Sequence, residues 1–187
     1  MRSDARDNRA KIIAAAIDII EQQGTMASLN EIAKQAGIGP GTLYRHFPTR
    51  DELLAEVLVA WVARVDATAD ATVIASESDL VDWLDRLTLI SNAYQGLAAS
   101  IAAVADDDDS PLRSAHTATL RAIDRVFAQG RAIGLFEGHV DAGAVGRLVT
   151  GVAMVTEQAS LRPEQTRTML EVILNGLIVG AASEVQA

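Results

Sequence analysis

Apolar residues recur at helical spacing from about residue 6 to residue 182, and no segment shows the apolar and polar alternation of a strand. This pattern predicts an all-α chain with about nine helices, of which the later ones form a bundle. The first helix is expected from about Arg6 to Gln23. Gly24 follows it directly and is placed to close the helix in a left-handed conformation.

A short second helix is predicted after this first one. Residues Ser28 to Glu31 have the pattern of a capping box, in which the serine side chain accepts from a helix amide and the glutamate reaches back. Apolar residues at helical spacing continue to Ala36, and Gly37 is expected to end the helix. A tight turn, Gly37-Ile38-Gly39, should then lead to a third helix.

The third helix is predicted over Pro40–Phe47, because proline is tolerated in a first turn and Pro48 cannot continue the helix. Leu43 and Phe47 fall on one side of it and should point inward. The other side carries small and polar residues, which are Gly41, Thr42, Arg45 and His46, with Tyr44 flanking them.

Further helices are predicted along the rest of the chain. A second capping box at Thr49 should open a long helix that runs to about Ala75. An apolar stripe predicts the next helix over about 80–94, and a short apolar segment covers 96–105. Later starts are expected at the Ser110-Pro111 pair, at Asp141 and at Pro163.

The last two predicted helices, about 141–159 and 163–182, are apolar on nearly every side. Such helices need partners on every side, and a small bundle supplies only some of them. We therefore expect these helices to form a homodimer, with small residues such as Gly146 and Gly151 allowing close approach. The expected interface residues are Val145, Leu148, Val149, Val152, Leu170, Ile173, Leu174 and Leu177.

Composition narrows the class of protein. Of the 187 residues, 49% are hydrophobic and 22% are charged, which argues against a disordered chain. No apolar run reaches the roughly 18 residues that a membrane-spanning helix needs, so we expect a soluble protein. The absence of cysteine excludes disulfides and thiolate metal sites. The basic start resembles an export signal, but aspartates interrupt it, and a cytoplasmic location is expected.

The charge is divided unevenly along the chain. The net charge is -9, yet residues 1–50 hold seven basic and five acidic residues, whereas the remaining 137 hold nine and twenty. This asymmetry suggests an N-terminal part that meets a polyanion.

Two short helices joined by a glycine turn have the helix-turn-helix arrangement, whose second helix enters the DNA major groove. Thr42 and Arg45 suit base recognition, since a guanidinium forks onto guanine, and Gly41 allows close approach. Phosphate contacts are expected from side chains at the edges and at helix starts, which are Tyr44, His46, Ser28 and Arg50.

The segment from Gly37 to Arg50, GIGPGTLYRHFPTR, resembles the signature of the TetR family of bacterial transcriptional regulators. The resemblance covers roughly residues 8–56. It implies a homodimer with a DNA-binding domain at 1–50 and, at 51–187, a bundle that binds a small molecule and dimerises through its last two helices. The residues it places at a double-stranded operator are Ser28, Asn30, Pro40, Gly41, Thr42, Tyr44, His46 and Arg50.

Three positions depart from the family pattern. Gly39 stands where a capping serine is frequent, Pro40 where a polar or basic residue is common, and Asn30 where arginine is frequent. These departures leave Arg45 and Thr42 as the main candidates for reading bases.

A ligand pocket in the C-terminal part is one of two interpretations of its aromatic residues. They could line a pocket for a largely apolar effector, or they could fill an ordinary core, since periodicity does not show a void. The candidate pocket residues are Trp61, Trp83, Arg86, Leu87, Ser91, Tyr94, Thr117, Leu120 and Phe127.

The sequence therefore favours a homodimeric repressor that binds a palindromic operator and is released by an effector. A transcriptional activator of the same fold is an alternative, as is an all-helical binding protein or enzyme with a vestigial DNA-binding motif. No catalytic, cofactor or metal motif is found. The acidic run Asp106–Asp109 is interpreted as a solvated loop, because adjacent helical residues point in different directions.

Overall fold

The computed structural model describes residues 2–136 and 140–183, and the side chains of 5–136 and 140–177. Within these ranges the chain forms ten helices and no strand, which confirms the all-α prediction. The helices are α1 (Arg2–Gln23), α2 (Leu29–Gln35), α3 (Pro40–His46), α4 (Arg50–Val57), α5 (Val59–Asp70), α6 (Glu77–Ser91), α7 (Leu97–Ala103), α8 (Arg113–Ala132), α9 (Ala142–Gln158) and α10 (Pro163–Ser183).

Glycines in a left-handed conformation close the first two helices. Gly24 has a φ of +83°, and its N–H donates to the carbonyl of Ile20 at 2.8 Å, so α1 ends as predicted. Gly37 has a φ of +68° and follows α2, which ends two residues before it. The N–H groups of Gly37 and Ile38 donate to Lys34 and Ala33, the paired bonds of a Schellman motif.

The predicted capping box at Ser28 is wrong. Ser28 is the residue before α2, but its side chain makes no capping hydrogen bond and is exposed. Its backbone carbonyl accepts from the N–H of Ile32 at 3.1 Å, so the helix starts where the pattern indicated but without the serine cap.

The single long helix predicted from Thr49 to Ala75 is also wrong. Its start is correct, since Thr49 Oγ1 accepts from the N–H of Glu52 at 3.2 Å. The helix is interrupted at Leu58, which separates α4 from α5. Leu58 is almost completely buried, so apolar spacing continues through the interruption and gives no sign of it.

Later helix starts agree with the sequence in two places and differ in one. Asp141 caps α9 by accepting from the N–H of Gly143 at 2.8 Å, and α10 begins at Pro163 as predicted. Helix α8 begins at Arg113 rather than at Pro111. Ser110 accepts from the N–H of Leu112 through its side chain, forming a turn ahead of the helix.

One continuous buried cluster runs from Ile12 in α1 to Leu174 in α10. Trp61, Trp83 and Phe127 are its largest members, and the indole N–H of Trp61 donates to the carbonyl of Ile90 at 2.7 Å. The core therefore holds the two short helices α2 and α3 in place, because helices of seven residues are not stable alone.

Candidate DNA-binding surface and effector cavity

Helix α3 is buried on one side and exposed on the other. Leu43 is fully buried, and Phe47, which follows the helix, is 2% exposed. Both belong to the same core as Ile32 and Ala33 of α2. This leaves the opposite side of α3 to solvent, with Gly41, Tyr44 and Arg45 exposed and Thr42 and His46 half-buried.

The two residues predicted to read bases are bonded to each other. Arg45 Nε donates to the carbonyl of Gly41 at 3.1 Å, and Arg45 Nη2 donates to the hydroxyl of Thr42 at 3.2 Å. The guanidinium therefore lies along the outer side of α3. Thr42 orders this side chain before any partner arrives, a role that sequence reasoning missed.

Arg50 lies at the start of α4 and holds the turn between α1 and α2. Its Nη1 donates to the carbonyls of Thr25, at 3.1 Å, and Ala27, at 2.5 Å. These bonds give Arg50 a structural role that was not expected.

The remaining predicted contact residues lie at the two helix starts. Ser28 and Asn30 are exposed at the beginning of α2, and Pro40 is exposed as the first residue of α3.

Arg9 is a further residue of this unit that the sequence did not indicate. Its guanidinium lies over the ring of Phe47, 5.2 Å from the centroid, and pairs with Glu56 at 2.7 Å. Arg9 therefore joins α1 to the end of α3 and to α4. Its partners are distant along the chain, so no local pattern marks it.

The predicted aromatic pocket is not what the structure contains. Trp61, Trp83, Leu87 and Phe127 are 2% exposed or less and form core. The Ser91 hydroxyl is buried and donates to the Leu87 carbonyl at 2.9 Å. The core interpretation of these residues is therefore correct.

Other predicted pocket residues are dispersed. Arg86 is exposed and donates to the hydroxyl of Thr72 at 3.3 Å. Tyr94 is half-buried beyond the end of α6, and Thr117 is half-buried on α8.

A cavity of about 300 Å³ lies instead between α7, α8 and α9. Leu120, one of the predicted pocket residues, lines it. Apolar groups make up most of its wall, and its polar residues are Asp106, His116, Thr119, Arg147 and Thr150.

His116 is the titratable group of this cavity wall with an altered pKa. Burial lowers the pKa of its imidazole, and the positive charge of Arg113 lowers it further, against the smaller opposing effect of Asp106. Its Nδ1 is buried without a hydrogen-bond partner. The ring is therefore held in its neutral form near pH 7.

Five of the predicted dimer residues are buried within the chain, and the others lie on its surface or are half-buried. Val145, Val149, Val152, Leu170 and Leu174 are less than 5% exposed within the chain itself, so they belong to its own core and the predicted interface set needs correction.

The outer side of α9 and α10 is an apolar groove. Leu148 is 47% exposed, Val155 43% and Val172 67%. Gly151, Met169 and Ile173 also line it, together with Val152, Arg147 and Thr168. Leu177 is half-buried on the same helix as Ile173. Gly151 has no atom near its missing side chain, whereas Gly146 faces Leu120 of its own chain and is needed there.

Known proteins resemble both parts of the chain. Residues 12–57 match the family described as bacterial regulatory proteins, tetR family. Residues 75–179, more than half of the chain, match the SbtR-like C-terminal domain of transcriptional regulators. The chain belongs to the TetR family.

Individual TetR-family relatives support this assignment to different extents. HTH-type transcriptional regulators of Staphylococcus aureus are 44% identical over 59 residues, which is 31% of this chain and 32% of their own length. The matched segment thus spans about a third of these relatives. A TetR regulator from Streptomyces coelicolor is 27% identical with a TM-score of 0.56, over 91% of this chain and 98% of its own.

A third TetR-like relative shares the fold at low sequence identity. RolR, solved in complex with its ligand resorcinol, is 19% identical with a TM-score of 0.64, over 95% of this chain and 90% of its own. The relatives are named as transcriptional regulators and not as enzymes, so the enzyme alternative is set aside. In the residues that the structure describes, no helix of this TetR-family chain is long and apolar enough to cross a bilayer.

Proposed function

We propose that this TetR-family protein represses transcription in the cytoplasm by binding a palindromic operator as a homodimer, and that a small, largely apolar effector releases it. The observation that carries the proposal is the exposed side of α3, where Thr42 and Arg45 are ordered against each other above a fully buried Leu43. Residues 1–50 would bind DNA, and residues 51–187 would bind the effector and the second copy.

The chemistry of α3 fits the major groove. A guanidinium held along the helix can donate two parallel hydrogen bonds to guanine O6 and N7. The other predicted residues would contact phosphates and fix the register of the helix on the duplex. The acidic remainder of the chain would repel DNA, which directs binding through the N-terminal part.

A second copy of this chain is the proposed occupant of the apolar groove on α9 and α10. Leu148, Val155 and Val172 are large, exposed apolar side chains on one contiguous face. An exposed apolar face of this kind usually marks an interaction site. A twofold contact would cover this face on both copies at once. Gly151, with open space where a side chain would stand, allows the two backbones to approach.

The cavity between α7, α8 and α9 is the proposed effector site. A volume of about 300 Å³ is at the lower end of small-molecule pockets and suits a compact ligand. Apolar walls would take most of the ligand surface, and neutral His116 would bond a hydroxyl or carbonyl group. That RolR binds resorcinol, a small ring with two hydroxyls, is consistent with such a ligand.

Selection from random duplex DNA tests the proposal directly. We expect the wild-type protein to enrich a palindrome with half-sites about one helical turn apart. Replacing Arg45 with Ala should relax the preference for one guanine in each half-site by on the order of 1 to 3 kcal/mol. Binding should also weaken steeply as salt increases.

Two outcomes would count against this proposal. A wild-type protein that enriches no sequence does not act through an operator. An unchanged guanine preference in R45A removes Arg45 from base reading. Transcription in vitro from a promoter that carries the selected operator then separates a repressor, which lowers transcript yield, from an activator, which raises it.

A further inference from the structure

The turn between α6 and α7 contacts α9 on one side. The N–H of Gly96, the residue before α7, donates to both carboxylate oxygens of Glu157 near the end of α9, at 3.0 and 3.1 Å. A carboxylate that receives a backbone N–H makes a strong, charge-assisted hydrogen bond. Glu157 therefore fixes the start of α7 relative to α9.

The same turn contacts the DNA-binding unit on its other side. The carbonyl of Gln95 accepts from the N–H of Thr25 at 2.8 Å and from its hydroxyl at 3.2 Å. Thr25 is 2% exposed, and its hydroxyl also lies 3.3 Å from that of Ser100 in α7. The α1–α2 turn and the α6–α7 turn are thus joined by partly buried hydrogen bonds.

The α1–α2 turn and the α6–α7 turn pack closely against each other, and each places a glycine at the contact. A side chain at Gly24 would come within 2.8 Å of Gln95 Cβ, and one at Gly96 would come within 2.9 Å of the Thr25 hydroxyl. Both glycines also have left-handed backbones, with φ of +83° and +77°. Neither position accepts a larger residue without separating the turns.

The contacts continue from Thr25 to the start of α4. The carbonyls of Thr25 and Ala27 accept from Arg50, which is the first residue of α4 and follows the end of α3 closely. A continuous set of hydrogen bonds therefore runs from Glu157 through Gln95–Gly96 and Thr25 to Arg50.

We infer that Glu157 is a positioning residue for operator binding, and that the joint formed by Gly96, Gln95, Thr25 and Arg50 transmits the state of the effector cavity to α3. The inference rests on the proposed function. The cavity is lined by Ile101 and Ala102 of α7 and by Gly151 and Met154 of α9, the two helices that the Glu157–Gly96 contact connects. A molecule that pushes these helices apart would strain the Glu157–Gly96 hydrogen bonds.

Hydrogen exchange of the full-length protein tests the joint without any ligand or DNA. Replacing Glu157 with Ala should speed exchange at the Gly96 amide by about tenfold or more, because its acceptor is lost. The Thr25 amide should also exchange faster, although Thr25 does not contact Glu157. Replacing Glu157 with Gln retains one acceptor oxygen and should restore most of the protection at both amides.

Operator spacing provides the functional test. In E157A, the ratio between affinity for the selected operator and affinity for the same operator with one inserted base pair should fall at least threefold, since α3 is less firmly oriented. E157Q should retain the wild-type ratio. Glu164→Ala on α10, which removes an exposed carboxylate from another helix, is the matched control and should leave the ratio unchanged.

The outcomes distinguish this inference from the proposed function. If E157A lowers only the melting temperature and leaves both Thr25 exchange and the spacing ratio as in wild type, the inference is wrong. If the wild type selects no operator, the proposed function fails, and the exchange of Thr25 still decides whether the joint exists. Should E157A not fold, Thr25→Val removes the hydroxyl bonds at nearly constant volume and should lower the spacing ratio in the same way.

Discussion

At the scale of single residues, Thr42 matters through what it does for Arg45. An arginine side chain has many rotamers, and ordering it on binding costs free energy. The bonds to the Gly41 carbonyl and the Thr42 hydroxyl remove part of that freedom in the unbound protein. Thr42 is therefore expected to contribute to specificity even where it touches no base.

A substitution at Thr42 tests this role. Thr42→Val retains the shape of the side chain and removes the hydroxyl that accepts from Arg45. We expect discrimination between the preferred guanine and adenine to fall by about 1 kcal/mol, the size of one such hydrogen bond. Competition binding with paired duplexes measures it. Thr42→Ser, which retains the hydroxyl, is the control, and equal losses in both variants would contradict the prediction.

His116 gives the second prediction at this scale. Burial and Arg113 lower the pKa of folded His116 below its ordinary value of 6.5. The unfolded chain therefore binds a proton more readily, so the neutral ring contributes stability above about pH 6.5, and this stability is lost as the pH falls toward the folded pKa. Urea unfolding between pH 7.5 and 5 should show this loss in wild type and a smaller one in His116→Gln. A variant with the same pH slope as wild type would show that His116 is not responsible.

At the scale of elements, Ser160 stands out at the end of α9. The N–H groups of Ser160 and Leu161 donate to Glu157 and Thr156, which is a Schellman motif. Its left-handed residue is usually glycine, yet Ser160 has a φ of +49°. At the end of α8, the same position is held by Gly134, with a φ of +74°.

Exchanging residues at these two helix ends tests the cost of that conformation. Ser160→Gly should raise the free energy of unfolding by about 0.5 to 1 kcal/mol, because the strain of a left-handed serine exceeds the added flexibility of glycine. Gly134→Ser should lower it by a similar amount, since the space beside Gly134 is open and only the backbone is affected. Chemical denaturation measures both. An S160G variant no more stable than wild type, or a G134S variant as stable as wild type, would contradict the prediction.

The helix ends also show which elements the sequence can predict. Gly24, Thr49 and Asp141 bond to backbone groups within a few residues of themselves, and their roles were recognisable from the local sequence alone. The interruption at Leu58 was missed because a buried leucine satisfies apolar spacing in a continuous helix and in an interrupted one. The missing cap at Ser28 shows that a matching pattern does not ensure the hydrogen bond.

The candidate site was predictable only in part, for the same reason. The exposed side of α3 follows from the positions of Leu43 and Phe47. The roles of Arg50 and Glu157 depend on carbonyl and amide groups of distant turns, which no spacing along the chain encodes. The sequence left a pocket and an ordinary core both open around Trp61, because an aromatic side chain can line a cavity or fill a core, and only packing decides between the two.

At the scale of the whole molecule, the apolar groove on α9 and α10 predicts the oligomeric state. Val172→Glu would place a charge in the centre of the proposed contact between copies, and burying an unpaired carboxylate costs several kcal/mol. We expect this variant to be monomeric by sedimentation at concentrations where the wild type is a dimer.

The control for this variant is Val59→Glu on α5, an equally exposed valine at 63% against 67% for Val172. V59E should remain a dimer. A wild type that is monomeric throughout, or a V172E variant that dimerises as well as V59E, would overturn the placement of the second copy on this groove.

The close packing at Gly24 and Gly96 limits how the DNA-binding unit can move relative to the rest of the chain. The turns at Gly24 and Gly96 approach each other closely, because a side chain added at either glycine would come within 2.9 Å of an atom of the opposite turn. Closely packed contacts of this type tend to be made or broken as a unit. We therefore expect this contact to open in a switch-like manner, with few intermediate states.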